Sequence, residues 1–122
     1  MWRTVKLGDA LKTGAGGTPL KSKKEYYEGG NIKWLLSGAV CERDIHDSRT
    51  YITREGLANS SAKLFPRDTV LVAMYGATAG QVGILRTEAA TNQAVCGIHP
   101  SSDYLPEFLY YYLTNYKETL LL

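Results

Sequence analysis

Thr69-Val70-Leu71-Val72-Ala73-Met74-Tyr75 runs directly into Gly76-Ala77-Thr78-Ala79-Gly80-Gln81, and then into Val82-Gly83-Ile84-Leu85. The first seven residues are rich in β-branched and apolar side chains and carry the strongest strand signal of the chain. Gly76, Gly80 and Gly83 punctuate a loop, and residues 82–85 read as the next strand. Short strands joined by loops of small residues therefore set the fold class. Downstream, residues 94–98 read as another strand. From Asp103 the period changes: Leu105, Phe108, Leu109, Tyr112, Leu113 and Tyr116 recur on one face of a helix, with Pro106 in its first turn. A Tyr and Leu stripe of this kind is expected to face a core.

Upstream the pattern is more broken. Leu64 leads to a turn at Arg67-Asp68. Residues 49–53 alternate around Tyr51 as a strand, and Thr53, three residues before Gly56, is placed to cap a short helical turn. Residues 40–48 are charged and read as a loop. Residues 32–36 form an apolar strand around Trp34. Residues 20–30 are a Lys- and Tyr-rich excursion closed by Gly29-Gly30-Asn31. Gly14-Ala15-Gly16-Gly17-Thr18-Pro19 is expected to break any regular element, and residues 4–7 are a first strand or a lead-in to a helix.

At 122 residues the chain has room for one domain. Its 44% apolar and 21% charged residues match a globular protein and exclude a disordered tail, a collagen-like repeat and a simple coiled coil. Cys41 and Cys96 cannot build a disulfide framework. No signal segment opens the chain, and no apolar run is long enough to span a membrane. The expected compartment is cytoplasmic, with reduced thiols.

Enzyme constellations fail in turn. Gly14-x-Gly16-Gly17-Thr18 has no following Gly-Lys-Ser/Thr, as a phosphate loop requires. His46 and His99 have no cysteine partner at metal-binding spacing. Cys41 and His46 lie in a charged loop, Cys96 reads as a small core residue, and no pair of acids stands out as general acid and base. Asn59-Ser60-Ser61 matches a glycosylation acceptor that has no meaning without secretion.

What remains is charge and loop chemistry. Residues 1–40 hold seven Lys/Arg against three acids, and residues 41–122 hold seven against nine. A basic end suits a polyanion, although an ordinary solvated surface would look the same. The loops Gly16-Gly17-Thr18-Pro19, Ser37-Gly38-Ala39, Asn59-Ser60-Ser61-Ala62-Lys63, 75–81 and Asn92-Gln93 combine bare backbone with hydroxyl, amide and ammonium groups. These are the groups that contact phosphates and base edges, and plain turn chemistry also uses them.

Taken in order, these pieces resemble the target recognition domain of the specificity subunit of type I restriction–modification systems. The resemblance rests on Trp2 and Leu7; Gly17-Thr18-Pro19; Gly30-x-Ile32-x-Trp34; Ile52-Thr53-x-x-Gly56-Leu57-x-x-Ser60-Ser61-Ala62-Lys63; Pro66-x-x-Thr69-Val70-Leu71; Gly76-Ala77-Thr78-Ala79-Gly80; and Asn92-Gln93. It implies an α+β fold, a strongly curved sheet of short strands with a C-terminal helix leading toward a missing spacer helix. Residues 1–122 would form one domain, strand-rich to about residue 102 and helical over 103–122. A whole specificity subunit has two such domains, so the chain is expected to be a half-subunit, a truncated copy or a fragment.

The implied function is non-catalytic, sequence-specific binding of double-stranded DNA, reading one half of a two-part target. The implied partners are an adenine methyltransferase subunit, a restriction/translocase subunit and a second copy or second recognition domain. S-adenosylmethionine, ATP and Mg would sit on those partners only. The expected DNA-binding residues are Gly17, Thr18, Lys21, Lys23, Lys24, Lys33, Ser37, Ser60, Ser61, Lys63, Tyr75, Gly76, Ala77, Thr78, Gln81, Asn92 and Gln93. Leu113 and Leu120, Leu121 and Leu122 are expected to pack on another helix. The competing readings are a protein–protein docking module without DNA contact and a small hydrolase.

Overall fold

The structure is a computed structural model that describes residues 12–115. The expectations placed on residues 2–7, on Tyr116 and on Leu120, Leu121 and Leu122 lie outside the described residues. In chain order the elements are β1 (Thr13–Ala15), a 3-10 turn (Lys24–Tyr26), β2 (Ile32–Leu35), a second 3-10 turn (Ser37–Cys41), β3 (Asp44–Ile45), β4 (Tyr51–Ile52), α1 (Arg54–Ala58), β5 (Leu64–Phe65), β6 (Val70–Ala73), β7 (Val82–Leu85), β8 (Ala89–Thr91), β9 (Val95–Ile98) and α2 (Pro106–Asn115). The strands form two sheets, ordered β1-β9-β6-β7-β3 and β4-β2-β8-β5.

Side chains alternate across a strand, and both faces of the larger sheet are covered. Val70, Val82, Ile84 and Ile98 point toward α2, where they meet Leu109 and Leu113. Leu71, Ala73, Leu85 and Val95 point the other way, toward Leu35, Phe65 and Ala89 of the smaller sheet. Burial on both faces explains why β6 and β7 read as continuous apolar runs. The outer face of the smaller sheet carries Ile32, Trp34 and Ile52, with Tyr27 and Leu57 laid over them. Between the sheets the fully buried Phe65 ring sits on Gly97. A Cβ at Gly97 would lie 2.6 Å from Phe65 Cε1, so only glycine leaves room for the ring there.

The strands expected around Trp34 and Tyr51, at 82–85 and at 94–98 are present. Thr53 caps α1 as expected, its Oγ1 accepting from Gly56 N at 3.0 Å. The turn at Arg67-Asp68 is also present, with Asp68 at φ 75° and its N–H donating to Leu85 O at 2.8 Å.

Several expectations need correction. Residues 13–15 are a strand and not a break, because Gly14 and Ala15 gain their hydrogen-bonding partners from β9. Residues 40–48 are not all loop: Asp44–Ile45 pairs in parallel with β7, a non-local pairing too short to leave a periodic signal. The sequence does not anticipate β5 and β8, since segments of two and three residues are too short to show a strand period. The α2 stripe divides: Leu109 and Leu113 are buried, whereas Leu105, Phe108 and Tyr112 are exposed. Leu113 packs on the larger sheet of its own domain, so it does not serve the helix–helix packing expected of it. Among the described residues no helix is long and apolar enough to cross a membrane.

Arg86, just past β7, fastens α2 to this frame. Its guanidinium reaches Asp44 at 2.8 Å, Glu107 at 2.9 Å and Asp68 at 3.2 Å. The Glu107 carboxyl is held below its ordinary value by its own backbone N–H and then by Arg86. Removing the guanidinium leaves three carboxylates facing one another. Arg86→Met is expected to destabilise the domain by about 1–2 kcal/mol at neutral pH, measured by urea denaturation. Glu107 contributes fully above its ordinary pKa of 4.5, and the contribution fades as pH falls through the lowered folded value. The gap between parent and variant should therefore narrow on acidification.

Candidate nucleic-acid interface

Trp34 organises the loops. Its side chain, 5% exposed, lies on the outer face of β2 with the Tyr27 ring edge-on at 6.0 Å. A buried indole N–H needs an acceptor, and Trp34 Nε1 donates to Gly17 O at 3.0 Å. Gly17 N donates in turn to Thr91 O at 2.9 Å, and Gly16 N to Val95 O at 3.1 Å. The chain passes here between two other loops: a Cβ on Gly17 would lie 2.3 Å from Ser61 Oγ, and one on Gly16 2.2 Å from Thr91 O. Glycine is obligatory at this crossing for want of space.

Four loops distant in sequence thus converge. Thr18 Oγ1 donates to Gln93 Oε1, and Tyr27 OH donates to Pro19 O. Tyr75 OH donates to Gln93 O at 3.1 Å. Lys63 Nζ donates to Ala15 O at 3.1 Å. Of the expected DNA-binding residues, the structure brings together Gly17, Thr18, Ser61, Lys63, Tyr75, Asn92 and Gln93. Gln93, Ser61, Lys63 and Tyr75 are exposed, Thr18 and Asn92 are half-buried and Gly17 is buried. Asn92 Oδ1 is occupied by Ala94 N at 3.1 Å, and Ser60 Oγ accepts from Ala62 N at 3.2 Å, so both side chains serve the fold.

The 75–81 loop begins beside this cluster. It is pinned at its base by Met74 N to Ala94 O and Gly80 N to Ala73 O, both 2.8 Å. Gly76 takes a positive φ of 87° and, with Ala77, is exposed at the tip. Thr78 and Gln81 are half-buried, and Thr78 Oγ1 is buried without a hydrogen-bond partner among the described residues.

Lys21, Lys23 and Lys24 are exposed on the excursion that leaves Pro19. That excursion is itself held, since Thr53 Oγ1 donates to Glu25 O at 2.8 Å and Thr53 N to Tyr26 O at 2.9 Å. Two expected residues fall elsewhere. Lys33 alternates with Trp34 and so leaves β2 on the other face, where its charge acts on Asp47. Ser37 opens the second 3-10 turn. The Asp47 carboxyl accepts from Ser48 N and from Tyr51 OH, which together hold it below the usual carboxylate range. An open groove of about 690 Å³ beside it is lined by Glu42, Asp44 and Asp47, with Arg49 as its one full cation and His46, Ser48 and Thr50 along its polar edge, so acids outnumber bases there. Among the described residues no group of His, Cys, Asp and Glu is placed to hold a metal.

Sequence reasoning missed the roles of Trp34 and Tyr27 as organisers of these loops. The available signal was the need of a buried indole or phenol for a polar partner.

With the fold and the loop cluster defined, the chain belongs to a family: the type I restriction modification DNA specificity domain, whose profile matches residues 1–121. It is 29% identical over 113 residues to the type I restriction enzyme EcoR124I/EcoR124II specificity subunit of Escherichia coli, covering 90% of this chain and 28% of that one. It is 32% identical over 113 residues to the MjaIX specificity subunit of Methanocaldococcus jannaschii, covering 90% of this chain and 26% of that one. The chain therefore spans little more than a quarter of the curated relatives it matches. Its fold is similar to the HsdS subunit from Thermoanaerobacter tengcongensis (TM-score 0.70, 19% identity, 95% of this chain and 28% of that one). It is likewise similar to a chain from a structure of a type I R-M system (TM-score 0.71, 21% identity, 95% and 28%).

The Trp34–Gly17 bond is open to a direct test. Trp34→Phe keeps the apolar bulk but leaves Gly17 O without its donor. A loss of about 1–2 kcal/mol is expected in denaturation. Hydrogen exchange at the Gly17 amide should accelerate relative to amides of β6 and β9.

Proposed function

We propose that the domain binds double-stranded DNA and reads one half of a bipartite target as the recognition module of a type I restriction–modification complex. The observation that carries this reading is the convergence of the loops at Gly17-Thr18, Ser61–Lys63, Tyr75 and Asn92-Gln93 onto one frame. The cluster exposes Ser61, Lys63 and Gln93, and the excursion that leaves it at Pro19 carries three exposed lysines. Donors of this kind on a rigid base can hold phosphates and reach base edges. Membership of the specificity-domain family supports the same conclusion. The domain performs no chemistry of its own in this reading. Methyl transfer and cleavage belong to the methyltransferase and restriction subunits, which would carry S-adenosylmethionine, ATP and Mg. A second copy or second recognition domain would supply the other half-site.

Fluorescence anisotropy with a labelled duplex tests the proposal across a salt series. Log affinity should fall with log salt at about 0.9 per phosphate neutralised. Replacing Lys21, Lys23 and Lys24 with Ala should weaken binding to every sequence and lower the slope by about one for each phosphate no longer neutralised. A docking module would show little dependence on salt and no affinity for the duplex.

The loop tip gives an independent check. Ala77 is exposed, so Ala77→Leu should leave the melting temperature within about a degree or two. If DNA lies against the bare backbone there, the added bulk should lower affinity severely. Parent-like binding by a folded Ala77→Leu protein removes this loop from the recognition surface.

A further inference from the structure

Gln93 is held at two points: its carbonyl oxygen accepts from Tyr75 OH at 3.1 Å, and its side-chain Oε1 accepts from Thr18 Oγ1. Tyr75 follows β6 and Thr18 follows the Gly16-Gly17 crossing, so the two clamps come from loops far apart in sequence. The residue itself is exposed. A glutamine amide has an acceptor edge and a donor edge, and a rotating side chain can offer either. Here the acceptor edge is turned onto Thr18, which leaves the Nε2 hydrogens as the edge available to a ligand.

We propose that Gln93 is a preset donor: within the DNA reading above, on which this inference rests, it contacts an acceptor atom of the DNA. The acceptor is a phosphate oxygen or a base acceptor, guanine O6/N7 or thymine O4. The bidentate adenine contact usual for glutamine needs Nε2 and Oε1 together in one plane, and the Thr18 hydroxyl already holds one of the two lone pairs of Oε1 and with it the orientation of the amide. Thr18 thereby acts as a positioning residue for Gln93, deciding which amide edge faces the DNA.

The test uses the 122-residue chain, its Gln93→Glu, Gln93→Ala and Thr18→Val variants, and selection from a random duplex library followed by anisotropy on the selected and scrambled duplexes. Gln93→Glu keeps the acceptor for Thr18 but replaces the donors with a second oxygen. It should lose roughly tenfold or more in affinity, and more than Gln93→Ala. A loss confined to duplexes with G or T at one position identifies a base acceptor, and a uniform loss identifies a phosphate. Thr18→Val releases the amide, so adenine should become tolerated at that position in the base case and affinity should fall in the phosphate case. Melting temperatures of the variants guard against loss of fold. In the parent, the side-chain amide NMR signals of Gln93 should shift on adding duplex.

Parent-like affinity and preference in a folded Gln93→Glu protein, or a parent selecting adenine through Gln93, overturns this inference while leaving DNA binding intact. A parent that retains no duplex at low salt overturns the DNA reading and this inference with it.

Discussion

The packing of Phe65 on Gly97 governs the rest of the domain. It is where the smaller sheet is seated on the larger one, and its consequences reach the loops through strand pairing, which the Trp34–Gly17 bond then locks. β9 carries Gly97 and pairs with β1, placing Ala15 opposite Cys96 and delivering Gly16 to the turn that precedes β9. β5 carries Phe65 and pairs with β8, placing Leu64 opposite Ala90 and bringing residues 61–63 beside Thr91. Once the ring is seated, the Gly16-Gly17 strand exit, the 61–63 loop and the 91–93 turn have little choice but to meet. Burial of a large aromatic supplies the driving force, and the missing Cβ sets how closely the sheets approach.

The charges follow the same frame. Four acids are tied into the frame: Asp44, Asp68 and Glu107 around Arg86, and Asp47 on Ser48 and Tyr51. Arg86 resists deprotonation, its burial being outweighed by the hydrogen bonds it donates to Asp44 and Glu107. Lys21, Lys23 and Lys24 are exposed and sit on a segment anchored to the loop cluster through Pro19 and Tyr27. A net charge of only +2 thus conceals a separation between the carboxylates gathered around Arg86 and the exposed ammonium groups of Lys21, Lys23 and Lys24. A polyanion responds to that separation more than to the total.

What can be read from the sequence is whatever is local and repeated. The runs at 70–73 and 82–85 are apolar on both faces and announce themselves. So does the 105–113 periodicity, although periodicity alone cannot tell that Leu105, Phe108 and Tyr112 stay exposed while Leu109 and Leu113 are buried. β3, β5 and β8 leave no trace because each is two or three residues long and is stabilised by a partner far away in the chain. Gly14 reads as a breaker for the same reason. The candidate DNA-binding groups are recognisable as residue types, but their grouping is not. Lys33 and Trp34 are neighbours in sequence, yet strand alternation sends them to opposite faces, and only Trp34 reaches the Gly17 loop.

The structure also divides the polar atoms between scaffold and recognition. Asn92, Ser60, Tyr75 and Lys63 commit hydrogen bonds to the protein itself. The Trp34–Gly17 bond and the Gly16-Gly17 crossing are buried and admit no side chain. The exposed positions Ala77, Gln93 and the three lysines differ in kind, since their side chains touch neither the Phe65 ring nor the Trp34 indole bond. Recognition chemistry can therefore change at these positions while the loops keep their places. The frame is specified by large apolar groups and by glycines whose space is already taken, and what the domain reads is specified by side chains the frame does not need.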